Sequence, residues 1–120
     1  MENVAVIGAS LNEERYSNTA MKTLLEKGHN AIPVSLDGKE VLGQKGYKNL
    51  RDVPEKIDTV SVYLSPEKQG TVIEDIKAVS PRRVIFSPGA ENSSVYKELE
   101  DKGIEVIEAC TIVMLNTGQF

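Results

Sequence analysis

Short apolar segments alternate with longer amphipathic segments along the chain. The short segments are rich in valine and isoleucine and are bounded by glycine, serine or other polar residues, a pattern typical of strands buried on both faces. Pro33 cannot donate to a strand ladder, so the second strand is expected to lie near a sheet edge or to end early. Five strands are predicted: Asn3–Gly8, Ala31–Ser35, Asp58–Leu64, Arg83–Ser87 and Ile104–Ile107.

The segments between these strands repeat apolar residues at helical spacing. Ser17 and Ser65 are residue types preferred as N-caps, and we expect each to open a helix. The last helix is expected to turn Ile112, Val113 and Leu115 towards the sheet. The predicted helices are Ser17–Lys27, a helix that follows Ser65-Pro66 and stops before Pro81, Asn92–Lys102, and a short helix within Ala109–Leu115.

Alternating strands and helices predict an α/β fold of the Rossmann-like, doubly wound kind. Right-handed crossovers favour a mainly parallel five-stranded sheet of order 2-1-3-4-5 with helices on both faces. Leu36–Leu50 is predicted to be a loop, with one additional short strand around Val41–Leu42 as an option beyond the second strand. The strand order reverses between strands 1 and 3, so residues 8–17 and 63–66 form the expected ligand crevice.

Composition supports one folded domain over residues 1–120. Hydrophobic residues make up 40% and charged residues 27%, a globular balance, and no repeat, linker or low-complexity tract divides the chain. A net charge of −4 argues against binding to nucleic acid or to a membrane surface. The lack of a signal-like or membrane-spanning segment makes a cytoplasmic location the expectation. One cysteine and one histidine form neither an internal disulfide nor a zinc site, so no metal ligand is predicted.

The turn after the first strand has the chemistry of an anion site. Gly8 permits a sharp turn and close approach of a ligand, and the following helix begins with free amides and a positive dipole end. Ser10 and Ser17 add hydroxyl donors, while the Arg15 guanidinium can pair with a phosphate. The stretch is neither a Walker A loop nor the G-x-G-x-x-G fingerprint, since Ser10 and Glu13 replace two of the glycines. A glycine that serves only as a tight turn is the alternative.

Several segments together resemble a known family over nearly the whole chain. The sequence resembles the small stand-alone CoA-binding proteins, which are similar to the CoA-binding domain of the succinyl-CoA synthetase alpha subunit. The segments that carry this resemblance are Val4–Ser10, Arg15 with Ser17, Leu24–His29, Ile32-Pro33-Val34, Leu42-Gly43 with Tyr47, Leu50, Val53-Pro54, Ile57-Asp58, Gly89 with Glu91-Asn92, and Cys110.

The resemblance implies that coenzyme A or an acyl-CoA is the ligand, with its phosphates at the first turn. Lys39 would contact a phosphate, although a solvated loop lysine is an equal alternative. The implied binding residues are Gly8, Ala9, Ser10, Arg15, Tyr16, Ser17, Ser35, Lys39, Tyr63, Leu64, Ser65, Pro88 and Gly89. The chain departs from many relatives at Ser35-Leu36, Ile85 and Ser87, which are expected to face the pantetheine arm or an acyl group, so the acyl preference stays open.

No residue set has the arrangement of nucleophile, base and orienting group, so a non-catalytic CoA-binding module is predicted. The alternatives are a CoA-dependent enzyme subunit and an NAD(P)-binding protein. The expected ligand is a small nucleotide, and a homo-oligomer or another protein partner stays open.

Cys110 is predicted to be structural, with disulfide exchange with CoA as the alternative. His29 follows a helix end, a position where an imidazolium can cap helix carbonyls. Asp37 is predicted to be a turn residue before Gly38, with binding of a ribose hydroxyl in a dinucleotide site as the alternative.

Overall fold

A five-stranded parallel sheet forms the centre of the computed structural model, which describes residues 1–120. The strand order is β2-β1-β3-β4-β5, which confirms the predicted topology. Ile7 lies opposite Val34 on one side and Val62 on the other, and Val62 lies opposite Phe86. The carboxyl ends of four strands therefore meet at one level. The strands are β1 (Asn3–Ile7), β2 (Asn30–Val34), β3 (Thr59–Val62), β4 (Arg83–Phe86) and β5 (Glu105–Glu108).

Helices connect the strands in chain order, and some begin at a different residue from the predicted one. Ser17 does not cap the first helix as predicted: the helix begins one residue earlier, and Arg15 occupies the cap position. Ser65 and Pro66 open a short 3-10 turn, Pro66–Lys68, that precedes the second helix. None of the helices has the length and apolarity of a membrane span. The helices are α1 (Tyr16–Glu26), α2 (Gly70–Val79), α3 (Tyr96–Asp101) and α4 (Thr111–Asn116), with further 3-10 turns at Leu50–Asp52 and Ser93–Val95.

The helices cover both faces of the sheet, as predicted. Successive residues of a strand point to opposite faces, and β1 shows this directly. Its Val4 packs in one apolar cluster with residues of α1 and α4, whereas Ala5 packs in another with residues of α2 and α3. Each fully buried Leu, Ile or Val side chain contributes about 1.5–3 kcal/mol to folding. This packing holds the loops at the carboxyl edge on a rigid base.

The buried face of α4 differs from the predicted one. Val113 was expected to face the sheet, yet it is 55% exposed. The helix begins at Thr111, and helical spacing from that residue brings Met114 and Leu115 onto the same face. Leu115 is buried as predicted and Ile112 is half-buried, whereas Thr111 and Met114 are buried in place of Val113.

Pro33 lies on β2, an edge strand, as predicted. Its carbonyl oxygen accepts a hydrogen bond from the Tyr47 N–H at 3.0 Å, and Ser35 N–H donates to the Tyr47 carbonyl at 3.0 Å. The optional strand around Val41–Leu42 does not form, because Val41 pairs only with Gln44 in a tight turn. The segment that extends the sheet beyond β2 is therefore the single residue Tyr47.

Candidate functional site

Two cavities lie at the carboxyl edge of the sheet, one on each side of the turn after β1. The larger, of about 490 Å³, lies between the loops after β1 and β2 and the start of α2. The smaller, of about 390 Å³, lies between the start of α1 and the loops after β3 and β4. Gly8 lines both cavities. They therefore meet where the order of the strands reverses, which is the position expected from the topology.

Gly8 has a backbone conformation and surroundings that suit only glycine. Its φ is +87°, in the left-handed region that disfavours a β-carbon. A β-carbon there would lie 3.2 Å from Leu64 Cδ2 and 3.4 Å from the Tyr63 carbonyl oxygen. Gly8 thus lets the first turn pass close to the end of β3.

Some backbone amides of the first turn donate hydrogen bonds within the protein, and others have no acceptor there. The expectation of free amides is wrong for Gly8 and Ala9, which both donate to the Val34 carbonyl oxygen, at 2.9 and 3.3 Å. Pairing with β2 takes these two donors, because the turn stays beside the edge strand. Other amides of the turn and of the start of α1 have no acceptor in the protein, namely those of Ser10, Leu11, Glu13, Tyr16 and Ser17.

The larger cavity contains six of the predicted residues and several that the sequence did not single out. Lys48 and Lys68 were missed as lining residues, and Asp37, predicted as a turn residue, lines the cavity as well. The glycine- and lysine-rich composition of Leu36–Leu50 was the available signal for Lys48, since this loop follows the carboxyl end of β2. The predicted residues here are Gly8, Ala9, Ser10, Ser35, Lys39 and Leu64, and the others are Ile7, Leu11, Asn12, Val34, Leu36, Asp37, Val41, Lys48, Asn49, Leu50, Lys68, Thr71, Val72 and Asp75.

The loop after β2 folds back on itself at the wall of the larger cavity. Asp37 Oδ1 accepts hydrogen bonds from Ser35 Oγ at 2.9 Å and from the Lys39 amide at 3.3 Å, which makes it the predicted turn residue. The hydrogen bond from Ser35 and, to a lesser extent, the one from the Lys39 amide hold the pKa of Asp37 below its usual range. A β-carbon at Gly46 would overlap the Lys39 carbonyl oxygen. Glycine at this position lets the two arms of the loop touch.

The smaller cavity contains the remaining predicted residues, except for one. Ser65 lines neither cavity, because the chain turns there into the 3-10 turn and the Ser65 carbonyl accepts the Lys68 amide at 2.9 Å. The predicted residues that line the smaller cavity, with Gly8, are Arg15, Tyr16, Ser17, Tyr63, Pro88 and Gly89, and the additional ones are Glu14 and Ala90.

Two buried hydroxyl groups beside the smaller cavity have no hydrogen-bond partner. They are Tyr63 OH and Ser87 Oγ, which directly follow the paired strands β3 and β4. Ser61 and Thr111, whose hydroxyls share a hydrogen bond of 2.8 Å, are buried nearby. Burial raises the pKa of Tyr63, so its phenol stays protonated and able to donate. Ser87, Ser61 and Thr111 lie close enough to the Tyr63 hydroxyl to act against the rise of its pKa, so these hydroxyls form one buried polar cluster beside the smaller cavity. A buried polar group without a well-formed hydrogen bond costs about 1–3 kcal/mol.

The departures from the family pattern do not all face the cavities. Ile85 was expected to face the arm or acyl group, but its side chain is fully buried in β4 and lines neither cavity. Ser35 and Leu36 line the larger cavity. Ser87 lies just before the wall of the smaller one.

The Gln69 side chain ties the walls of the two cavities together. It is fully buried, and its Nε2 donates to the carbonyl oxygens of Leu64 at 2.8 Å and Ala90 at 2.7 Å. Its Oε1 accepts from Asn92 Nδ2 at 3.0 Å. The sequence contained a signal for it: Gln69 lies directly before α2 and seven residues before Ile76, in line with the apolar face of that helix, where a polar residue must find partners.

The remaining candidate groups lie outside the cavities. Cys110 is half-buried at the start of α4 and lines neither cavity. The side chain of His29 does not donate to the carbonyls at the end of α1, a role that its position allowed. Its Nδ1 accepts a hydrogen bond from the Glu2 amide at 2.9 Å, so the ring is neutral, and it lies at the opposite edge of the sheet. Side chains of His, Cys, Asp and Glu do not come together in a group able to hold a metal ion.

Comparison with known proteins identifies the family. The family model described as "CoA binding domain" matches residues 2–116. The uncharacterized protein YneT of Bacillus subtilis (strain 168) is 29% identical over 106 residues, which are 88% of this chain and 78% of that protein. The alpha subunit of ADP-forming acetate–CoA ligase II from Pyrococcus furiosus is 34% identical over 107 residues, 86% of this chain but only 23% of that subunit.

A solved structure agrees with the sequence comparison. The crystal structure of an uncharacterized protein superposes on 100% of this chain and 98% of its own, with a TM-score of 0.94 and 38% identity. The fold and the resemblance predicted from the sequence are both confirmed. This chain belongs to the family of CoA-binding domains.

Proposed function

We propose that this chain binds coenzyme A across both cavities and holds its pyrophosphate at the turn between them. Coenzyme A joins a charged nucleotide half to a long arm that carries two amide groups and no charge. The site has a matching division. Three lysines line the larger cavity. The smaller cavity has no lysine and is lined by the uncharged Tyr63, Pro88 and Gly89, with the charged Glu14 and Arg15 only at the start of α1, and the turn at Gly8 joins the two cavities. This division is the observation that carries the proposal.

The first turn and the start of α1 supply the donors for the pyrophosphate. The amides of Ser10 and Leu11 lack a protein acceptor, as do those of Tyr16 and Ser17 at the helix start. The α1 dipole adds positive potential at the same place. Arg15 makes no ion pair within the protein and lines the smaller cavity beside Gly8. Its guanidinium adds a charge-assisted bond worth about 1.5–3 kcal/mol.

The larger cavity fits the nucleotide half. Leu36 and Leu11 line it with side chains that are 95% and 56% exposed, and Val41 is a buried part of its wall. Exposed leucines beside a cavity provide an apolar surface for the flat faces of a base. Lys39 and Ser35 complete the polar part of this wall.

The smaller cavity fits the arm. Tyr63 lines it, and its buried hydroxyl, which makes no hydrogen bond of good geometry within the protein, can donate to or accept from an amide group. Pro88 and Gly89 form the opposite wall with exposed, uncharged surface. Amide recognition by buried hydroxyls removes the cost of leaving them unpaired.

The role that we propose is binding without catalysis, as a carrier, a sensor or one part of a larger assembly. Neither cavity is lined by a histidine or cysteine, and the lining side chains hold charge and form hydrogen bonds. The chain corresponds to less than a quarter of the acetate–CoA ligase alpha subunit, so that subunit's activity involves far more protein than this chain supplies.

Calorimetric titration of the full chain with CoA and, separately, with NAD tests the proposal. We expect saturable one-to-one binding of CoA and much weaker binding of NAD. Arg15→Ala should weaken CoA binding by about 1.5–3 kcal/mol. The control Arg82→Ala removes the same charge at the opposite edge of the sheet, where Arg82 pairs with Glu2, and should leave CoA affinity unchanged. Absence of CoA binding, or tighter binding of NAD than of CoA, would overturn the proposal.

A further inference from the structure

Three lysine side chains line the larger cavity, in a chain whose net charge is −4. They are Lys39, Lys48 and Lys68, and two carboxylates, of Asp37 and Asp75, line the same cavity. The protein as a whole repels anions because its net charge is negative. The cavity can attract an anion only if its carboxylates are neutralised by other cations and some of its lysines are not.

The two carboxylates already have cationic partners. Asp37 lies 3.7 Å from Lys39 Nζ, and Asp75 accepts a hydrogen bond of 2.6 Å from Arg51 Nε. Lys48 and Lys68 take part in none of the ion pairs of the protein. Two ammonium groups in the cavity are thus left without a counter-charge.

Lys48 and Lys68 reach the cavity from different walls. Lys48 follows Tyr47, which is hydrogen-bonded to Pro33 and Ser35 at the edge of β2, and its stem packs over Gly38. Lys68 ends the 3-10 turn after β3. Both backbone positions are held by hydrogen bonds, so the two ammonium groups are presented from fixed points on either side of the cavity.

These lysines are separate from the donors of the first turn. The pyrophosphate has the unpaired amides and Arg15, and Arg15 lines the other cavity. Two further exposed lysines at the walls of the larger cavity suit a second anionic group with about two charges, which is the charge of a phosphate monoester near neutral pH. Coenzyme A carries such a group on its ribose, whereas dephospho-CoA has a bare ribose hydroxyl.

We infer that Lys48 and Lys68 bind the 3′-phosphate of CoA and make the site selective for the 3′-phosphorylated nucleotide. The inference rests on the proposed function, since it assigns a group of the same ligand. Both lysines are exposed, so each contact is screened by salt and contributes modestly. Together they give a preference of about tenfold for CoA over dephospho-CoA at low salt, and the preference decreases as salt is added.

The test is a pair of calorimetric titrations, with CoA and with dephospho-CoA, on the wild type and on Lys48→Gln, Lys68→Gln and the double variant. We expect the double variant to bind CoA no better than the wild type binds dephospho-CoA, with dephospho-CoA affinity unchanged. Lys45→Gln is the matched control. Lys45 belongs to the same loop but lies over the Tyr47 ring, 5.3 Å from its centroid, and does not line the cavity.

The outcomes separate the inference from the proposed function. Equal affinity of the wild type for the two ligands overturns the inference and leaves CoA binding intact. Equal losses for both ligands in the lysine variants also overturn it, since the lysines would then act on the whole nucleotide. Failure of the wild type to bind either ligand overturns the proposed function itself.

Discussion

Asn18, in the first turn of α1, donates its side-chain N–H to the carbonyl oxygen of Ser10 at 2.9 Å. The Asn18 side chain is buried, at 2% exposure, and this bond fixes the first turn relative to the helix that follows it. The amides proposed to hold the pyrophosphate lie on both sides of this bond. The geometry of the site therefore depends on a residue that lines neither cavity.

Replacing Asn18 tests this dependence. In Asn18→Asp the carboxylate has no proton to donate to Ser10, and it adds negative charge beside the proposed phosphates. We expect CoA affinity to fall by tenfold or more, about 1.4 kcal/mol or above, as measured by calorimetry. Asn116→Asp places the same charge at the exposed end of α4 and should change little. Equal affinities of the two variants would contradict the role given to Asn18.

Gly8→Ala is expected to destabilise the fold and to abolish CoA binding. The positive φ costs about 1–2 kcal/mol for a residue with a β-carbon, and the close approach of Leu64 adds to it. Gly28→Ala is a matched control, because Gly28 has a φ of +85° but nothing within 4 Å of a β-carbon. Chemical denaturation should show a larger loss for Gly8→Ala. A Gly8→Ala protein that binds CoA normally would count against the placement of the ligand.

Gln69→Leu should cost about 3 kcal/mol or more in the free energy of unfolding. The change leaves the carbonyl oxygens of Leu64 and Ala90 without their donor, and each buried group without a partner costs about 1–3 kcal/mol. Gln119→Leu changes an exposed glutamine and provides the control. Urea denaturation curves of the two variants measure the difference, and similar midpoints would show that water replaces Gln69 without loss.

Tyr63→Phe and Tyr96→Phe should have opposite effects. Tyr63 OH has no partner, so its removal should leave stability unchanged or slightly raised while CoA affinity falls about threefold to tenfold. Tyr96 OH donates to Glu108 Oε2 at 2.8 Å, and burial together with this carboxylate raises the pKa of Tyr96 to about 12. Its loss should cost about 1 kcal/mol of stability and spare CoA binding. Thermal melts and titrations of both variants provide the comparison.

Stability should depend on pH through His29. Burial lowers the pKa of His29 in the folded protein, more than the nearby Glu2 carboxylate raises it, and the N-terminus and Arg83 lower it further. The unfolded chain then binds more protons, so this contribution is complete above the unfolded pKa of about 6.5 and decreases as the pH falls below that value. His29→Gln, which keeps an acceptor for the Glu2 amide, should remove this dependence between about pH 5.5 and 7.5. An unchanged pH profile would contradict the neutral state of His29.

The sheet and the position of the site could be predicted because they depend on local patterns. Strand order follows from alternating elements and right-handed crossovers, and the crevice follows from the order. Gly8 and Arg15 were found in this way. Which backbone amides are free could not be read from the sequence, since Gly8 and Ala9 are bonded to Val34, which lies more than twenty residues away.

Lys48 was missed as a lining residue for a related reason. Its placement depends on how the loop after β2 folds back, and that depends on contact between Gly46 and Lys39 rather than on any periodic pattern. Lys68 was missed because it reaches the same cavity from another part of the chain, the 3-10 turn after β3. The division of the crevice into two cavities was not predicted either, because it also depends on how the loops fold. Val113 shows a different limit: in a helix of six residues the apolar pattern is too short to determine which residues face the sheet, and Met114 is buried while Val113 is exposed.

The fold-back of Tyr47 on β2 has a consequence for the sheet as a whole. An open sheet has two edges, and each is a template on which a strand of another molecule can add. On one side Tyr47 occupies the ladder beside Pro33, whose lack of an N–H already weakens that edge. The other edge strand, β5, begins and ends with exposed carboxylates, those of Glu105 and Glu108. At both edges, pairing with a strand of another molecule is therefore disfavoured. The sheet can stay open, with the ligand crevice at its carboxyl edge, without aggregating through its edges.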